Sequence, residues 1–204
     1  MGLKRTTSPA TEPITLAEAK KHVEVALAVT DHDTHLSDML IPAARERAET
    51  YTGRAWITQT WTLTLDRFPA WTIPLPRPPL VSVTSITYVD GDGDTQTLSS
   101  SLYRVSTNTG GGAPGRITPA YGEVWPTIRN LTDAVTIVYV AGYGAASSVP
   151  RAAKQAILLT VGNWFANREP VVVGVSASEV PQNAKWLLDS LRAGKVPGCY
   201  GLAS

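Results

Sequence analysis

A single cysteine, Cys199, excludes an internal disulfide, and its place near the end of the sequence does not suit a catalytic thiol. Synthesis in a reducing cytoplasm is the simple reading. Histidine is almost as scarce, so a zinc site or a catalytic triad would have to be built from His22, His32 and His35. Only His32 and His35 cluster, with Asp31, Asp33 and Asp38, in the polar stretch TDHDTH. There a surface role, or capping of the next helix by Asp31 or Asp33 with Thr34, outweighs metal ligation. An excess of one charge is also missing. Lys and Arg number 18 against 17 Asp and Glu, a net +1 that gives no global field to hold a polyanion or a membrane surface. No apolar run approaches the roughly 18 residues needed to cross a bilayer. The opening MGLKRTTSPATEP has basic residues but no apolar core behind them, so it is not read as a secretory signal. Pro9, Pro13 and the Ser/Thr content make residues 1–13 an extended arm ahead of the fold, either a frayed end or a binding arm.

What is present is globular: 204 residues, 43% hydrophobic and 17% charged, enough for one large domain or two small ones with a real core. Thr15-Leu-Ala-Glu18 reads as a capping box, followed by apolar residues at helical spacing to about residue 28. Leu36, Leu40, Ala44, Ala48 and Tyr51 mark a second helix closing at Gly53, with Pro42 kinking it or moving its start to about residue 41. Glu46 and Glu49 read as outward-facing beside Arg45 and Arg47. From Thr58 the period changes to two, as TQTWTLTLDRF alternates Trp61, Leu63 and Leu65 with threonines. The proline-rich WTIPLPRPPL suits an edge strand or an extended bridge, not a central strand. About six strands are expected between 58 and 143. Helical chemistry resumes at Pro150, and Pro181 opens a last helix running to Gly194. The fold expected is α+β: a helical bundle built from both chain ends, residues 14–57 and 146–193, with an inserted antiparallel β domain at 58–145 and a tail at 194–204.

The motifs that suggest chemistry mostly dissolve. Asp90, Asp92 and Asp94 in VDGDGDTQTL alternate like the start of a calcium loop, but the sixth and twelfth places hold Thr95 and Ser101 where glycine and glutamate are needed. β-Branched residues on both sides favour an Asp-Gly hairpin turn. Gly110 and Gly115 mimic a phosphate-cradling loop, yet Arg116 and Ile117 replace its lysine and hydroxyl residue, and a strand follows. Gly174-Val-Ser176-Ala-Ser178 lacks the second glycine of a nucleophile elbow. The sequence therefore nominates no catalytic residue, no metal ligand and no cofactor site. Of the tryptophans, Trp61, Trp164 and Trp186 sit at periodic apolar positions and read as core. Trp71 and Trp125, beside prolines, read as exposed anchors.

Several phrases stand in order between residues 14 and 169: ITLAEAKKHV, AARERAETYTGRAWITQTWTLTLDRFP, IPLPRPPLVSVTSITYVD, RITPAYGEVWP, VTIVYVAGYG and VPRAAKQAILLTVGNWFANRE, within a resemblance that covers roughly residues 14–192. They resemble the head-tail connector proteins of long-tailed phages and gene transfer agents, also called adaptor or head-completion proteins. The resemblance implies a non-enzymatic virion protein, made in the host cytoplasm, that forms a homo-oligomeric ring of about twelve copies at the head-tail junction. Such a ring sits below the portal protein, extends the DNA channel without sequence-specific binding, and docks a stopper or tail-terminator protein. The family's portal-reaching segment would map onto Lys195 to Ser204, with Val196, Tyr200 and Leu202 as anchors. Three rival readings remain beside the adaptor: a stopper or tail-completion protein, a DNA-packaging accessory that binds duplex DNA, and an enzyme using the Asp90–Asp94 loop with calcium.

Overall fold

The computed structural model describes residues 1–107, 112–167 and 181–194. These divide into two compact units: Met1–Ala10 with Thr58–Tyr143, and the described residues of Thr11–Ile57 with Gly144–Arg192. The fold class is α+β, with four α-helices and two antiparallel sheets.

In the helical unit, α1 (Leu16–His22) starts at the expected capping box, where the Thr15 hydroxyl accepts from the Glu18 amide and the Glu18 carboxylate accepts from the Thr15 amide. It ends well before residue 28. Glu24 adopts φ 58, and the chain then folds into a loop whose carbonyls at Leu27 and Val29 are captured by Lys20. A π-helical turn at His35–Leu40 runs without a break into α2 (Ile41–Thr52), and Pro42, which has no amide to donate, stands at their junction in the first turn of α2. Gly53 closes α2 in the left-handed region at φ 70. Next, α3 (Arg151–Ala166) buries Ala153, Ala156, Ile157 and Val161. The last helix, α4 (Gln182–Asp189), is shorter than the expected run to Gly194 and buries only Ala184 and Leu188. Within this unit α3 packs on α1, α2 and α4.

In the sheet unit, residues 2–7 are not a loose arm: they form β1 (Gly2–Thr7), paired antiparallel with β2 (Gln59–Leu65). The main sheet has the order β1-β2-β8-β4-β5, with β4 at Leu80–Val89, β5 at Thr95–Thr97 and β8 at Val135–Ala141. Its register sets Trp61 opposite Tyr139 and Leu63 opposite Ile137, which is why one face of the alternating TQTWTLTL is buried. A second sheet, β3-β7-β6, joins Ile73–Leu75, Gly115–Pro119 and Tyr103–Ser106. The proline-bearing β3 lies at its edge, as the lost amide requires.

Among the described residues seven strands, not about six, thus lie between 58 and 143. The stretch TQTLSSSLYRVS divides between the two sheets, because Ser99 caps a short 3-10 turn at Ser100–Leu102 that breaks it. Gly115 admits close approach of β7 to β4: a Cβ there would lie 2.4 Å from Leu80 Cβ and Cδ2.

Candidate functional site

Asp90 stands at the centre of the hairpin turn. Its Oδ1 accepts from the amides of Asp92, Gly93 and Asp94 at 3.1, 3.0 and 2.9 Å, and its Oδ2 accepts from Gln96 Nε2 at 2.8 Å. The Gln96 bond, then those amides, hold the carboxyl below its ordinary pKa. Both oxygens are engaged in closing the turn, and Gly93 at φ 102 supplies the backbone it needs. Among the described residues no group of three or more His, Cys, Asp or Glu could hold a metal ion.

The His and Asp residues of TDHDTH separate into different roles. Asp31, His32 and His35 line an open hollow with Leu40, Trp164 and Asn167, and the His32 ring meets Phe165 edge-on at 5.3 Å. His22 lies elsewhere, against α3, where a Cβ on Gly162 would come within 3.2 Å of its ring. Asp33 does not cap a helix. It pairs with Lys20 Nζ at 2.7 Å, Thr34 makes no side-chain cap bond, and Asp38 accepts from the Ser37 hydroxyl. Lys20 is buried and donates to the Leu27 and Val29 carbonyls as well as to Asp33. That satisfies all three of its N–H groups and fixes residues 27–33.

Arg45 and Glu49 contradict the outward placement expected of them. Both are buried, because Arg45 Nη1 reaches Glu49 Oε2 at 2.9 Å, Arg45 Nε reaches Glu12 Oε2 at 2.8 Å, and Glu49 Oε1 accepts from the Trp56 amide at 3.0 Å. Burial pulls the guanidinium pKa down, but its hydrogen bond to Glu12 and the charges of Glu49, Glu12 and Glu46 outweigh it, and the net shift is upward. Glu46 alone of the two glutamates faces outward. The i,i+4 spacing of Arg45 and Glu49 signals the pair; nothing local signals its burial.

The tail residues expected as anchors, Val196, Tyr200 and Leu202, lie outside the described residues, as do Gly110 and the Gly174–Ser178 stretch, whose motif matches fail already in the sequence. Among the tryptophans Trp61 is buried, with the Arg77 guanidinium 5.2 Å over its ring, but Trp164 is only half-buried and Trp186 is exposed. Trp164 lies beside the buried stripe of α3 and lines the hollow at His32 and His35, and Trp186 stands out because α4 is one short helix whose inward positions are taken by Ala184 and Leu188. Trp71 is exposed as expected. Trp125 is half-buried, stacked on Phe68 at 4.9 Å and 3° between planes, and its indole N–H donates to the Trp71 carbonyl at 3.1 Å. Phe68 in turn meets Tyr88 edge-on. In the sheet unit this aromatic cluster ties the loop before β3 to the loop after β7 and carries exposed Tyr121 and Val124 with it.

No protein-family model and no curated protein matches the chain. Solved structures do. The chain is similar to a chain in the neck of an empty gene transfer agent (GTA) particle with C6 symmetry, at TM-score 0.78 and 23% identity, over 97% of this chain and 98% of that one. It is similar to a chain in the virion of a native GTA particle at TM-score 0.77 and 24% identity over 100% of both, and to one in the neck of a native GTA particle with C12 symmetry at TM-score 0.72 and 24% identity over 97% and 98%. The fold is that of chains found in GTA necks, over 97% of the chain. At the level of fold it meets the resemblance to head-tail neck proteins carried by the sequence.

Proposed function

We propose that this chain is a structural protein of the virion neck, a head-tail connector that assembles as a ring below the portal, extends the DNA channel and docks the stopper or tail. One observation supports the reading: 97% of this chain matches 98% of chains from two GTA necks, computed with C6 and with C12 symmetry. A ring of about twelve copies agrees with the latter. On this reading residues 14–57 and 146–193 form a bundle and residues 58–145 are a domain inserted into it, which adds lateral surface without lengthening the bundle. The net charge of +1 suits a conduit, since a strongly basic lumen would retain passing DNA. On this reading the role is non-enzymatic, and the buried charges serve the fold: Lys20 pairs with Asp33 and two carbonyls, Arg45 with Glu12 and Glu49, and Glu49 with the Trp56 amide. The tail, with Val196, Tyr200 and Leu202, reaches the portal.

Mixing the purified protein with portal rings and imaging the complexes tests this. The expected image has an added collar on the tail-facing side of the portal. A protein that joins only after another neck protein is present is a stopper instead, and one that binds duplex DNA without a portal, with strong loss at higher salt, is a packaging accessory. Deleting residues 195–204 abolishes portal binding and leaves the melting transition in place; unchanged binding removes the anchoring role.

A further inference from the structure

Resting on the ring reading, we infer that two rigid apolar tips, Trp71-Tyr121-Val124 on the sheet unit and Leu27-Val29 on the helical unit, are the two unlike halves of the contact between adjacent copies. A ring closes only through a head-to-tail interface, in which one patch of a subunit meets a different patch of the next. Among the described residues each unit has one loop tip whose exposed apolar side chains are fixed by a hydrogen bond to a backbone carbonyl of the tip itself; Met39 and Trp186 of the helical unit are exposed too, but on helical segments with no such tie. On the sheet unit Tyr121 is 99% exposed, Val124 80% and Trp71 59%, an unusual display for large apolar side chains. On the helical unit Leu27 and Val29 are both exposed.

Each tip is held stiff by a different device. The Trp125 indole binds the Trp71 carbonyl and stacks on Phe68, so the two loops of the sheet tip move as one. The buried Lys20 ammonium holds the carbonyls of Leu27 and Val29, the same two residues whose side chains face out. Burying a lysine charge is costly, and here it orders an exposed loop instead of a core. Loops ordered before contact lose less entropy on binding.

The chemistry favours another copy of this chain as occupant. Residues 120–127 contain one charged side chain, Glu123, and residues 25–30 contain none, so neither tip selects a polyanion or a charged peptide. Aromatic residues in a rigid apolar setting are the usual centres of protein interfaces. At about 150–250 Å² for a whole aromatic side chain, the sheet tip offers on the order of 400 Å², roughly half of the ~800 Å² that one side of a stable interface buries.

The test uses two full-length variants, Trp71→Ala/Tyr121→Ser/Val124→Ser and Leu27→Ser/Val29→Ser, under the conditions in which the wild type forms rings, with or without the portal. Trp71→Ala keeps the carbonyl that accepts from Trp125, and all five side chains are exposed, so both variants melt within a few degrees of the wild type. Each alone loses the ring and stays monomeric. Mixed, they form a two-copy species by native mass spectrometry and stop there, because one intact sheet tip meets one intact loop and no further contact is available. Rings from either variant alone overturn the inference and leave the ring reading standing; so does a mixture that stays monomeric. A wild type that forms no ring in solution or on the portal overturns the ring reading itself, and this contact with it.

Discussion

Arg45 and Glu49, one helical turn apart on α2, form an ion pair of 2.9 Å with side chains only 4% and 5% exposed. Glu12 completes the group from the segment before α1, and the Trp56 amide completes it from the segment after α2. The pair therefore ties three stretches of the helical unit together. Removing one member leaves a buried charge without its partner, which costs about 3–5 kcal/mol, far more than the net value of the intact pair. Arg45→Met is expected to lower the unfolding free energy by that amount in a urea titration. Arg45→Met/Glu49→Leu recovers most of it but remains about 1 kcal/mol short, since the Trp56 amide then loses its Glu49 acceptor. Additive losses in the double variant would contradict this coupling.

Lys20→Met makes a second prediction. The substitution keeps the apolar stem but strands two carbonyls and Asp33, so a loss of about 1–3 kcal/mol is expected. The more telling readout is local. Amide exchange in residues 24–33 rises steeply while α3 stays protected, because Lys20 fixes that loop and makes no bond to α3. Uniform acceleration across the helical unit would assign Lys20 a global role instead.

How much of this is legible from sequence alone depends on how local the cause is. The capping box at Thr15 and Glu18, the start of α2 near Pro42, the αL glycine at 53 and the hairpin at Asp90 each depend on residues within about five positions, and each stands where the residue pattern puts it. Burial of Arg45 depends on Glu12, 33 positions away, so the same Arg-x-x-x-Glu spacing reads as a surface pair. The early end of α1 depends on Lys20 reaching nine positions ahead to Val29. Trp186 fits an apolar period, but periodicity cannot say that two turns of helix bury only Ala184 and Leu188. The aromatic cluster is the same case: the prolines beside Trp71 and Trp125 mark both as loop residues, and only the fold brings Phe68 and the Trp71 carbonyl to Trp125.

Acid should expose the carboxylates that hold caps and turns. Glu18 is held below its ordinary pKa chiefly by the Thr15 amide, Asp66 by the Asp133 amide and Asp90 by Gln96. A depressed folded-state pKa stabilises fully above the unfolded value, about 4 for these groups, and that contribution is lost as pH falls through the folded value. The urea midpoint is expected to hold from pH 6 to 5 and to decline below. Glu18→Gln and Asp90→Asn start lower at pH 6 and converge on the wild type near pH 2. Curves that stay parallel down to pH 2 would show that neither charge matters.

The meeting of β7 and β4 gives the last prediction. Gly115 pairs with Leu75 in β3, and a Cβ at this position would lie 2.4 Å from both Leu80 Cβ and Leu80 Cδ2. A long side chain could swing its end away, but Leu80 Cβ cannot, because the backbone fixes it and Leu80 is paired with Ala141 of β8. The methyl of Gly115→Ala must therefore push the strands apart, an overpacking cost of about 1–3 kcal/mol. Leu80→Ala in the same chain removes Cδ2 but not Cβ, so it relieves only part of the clash while adding a cavity cost of its own. The double variant should be no more stable than Gly115→Ala alone. Full rescue would mean that the clash lies at the tip of Leu80 and not at its Cβ.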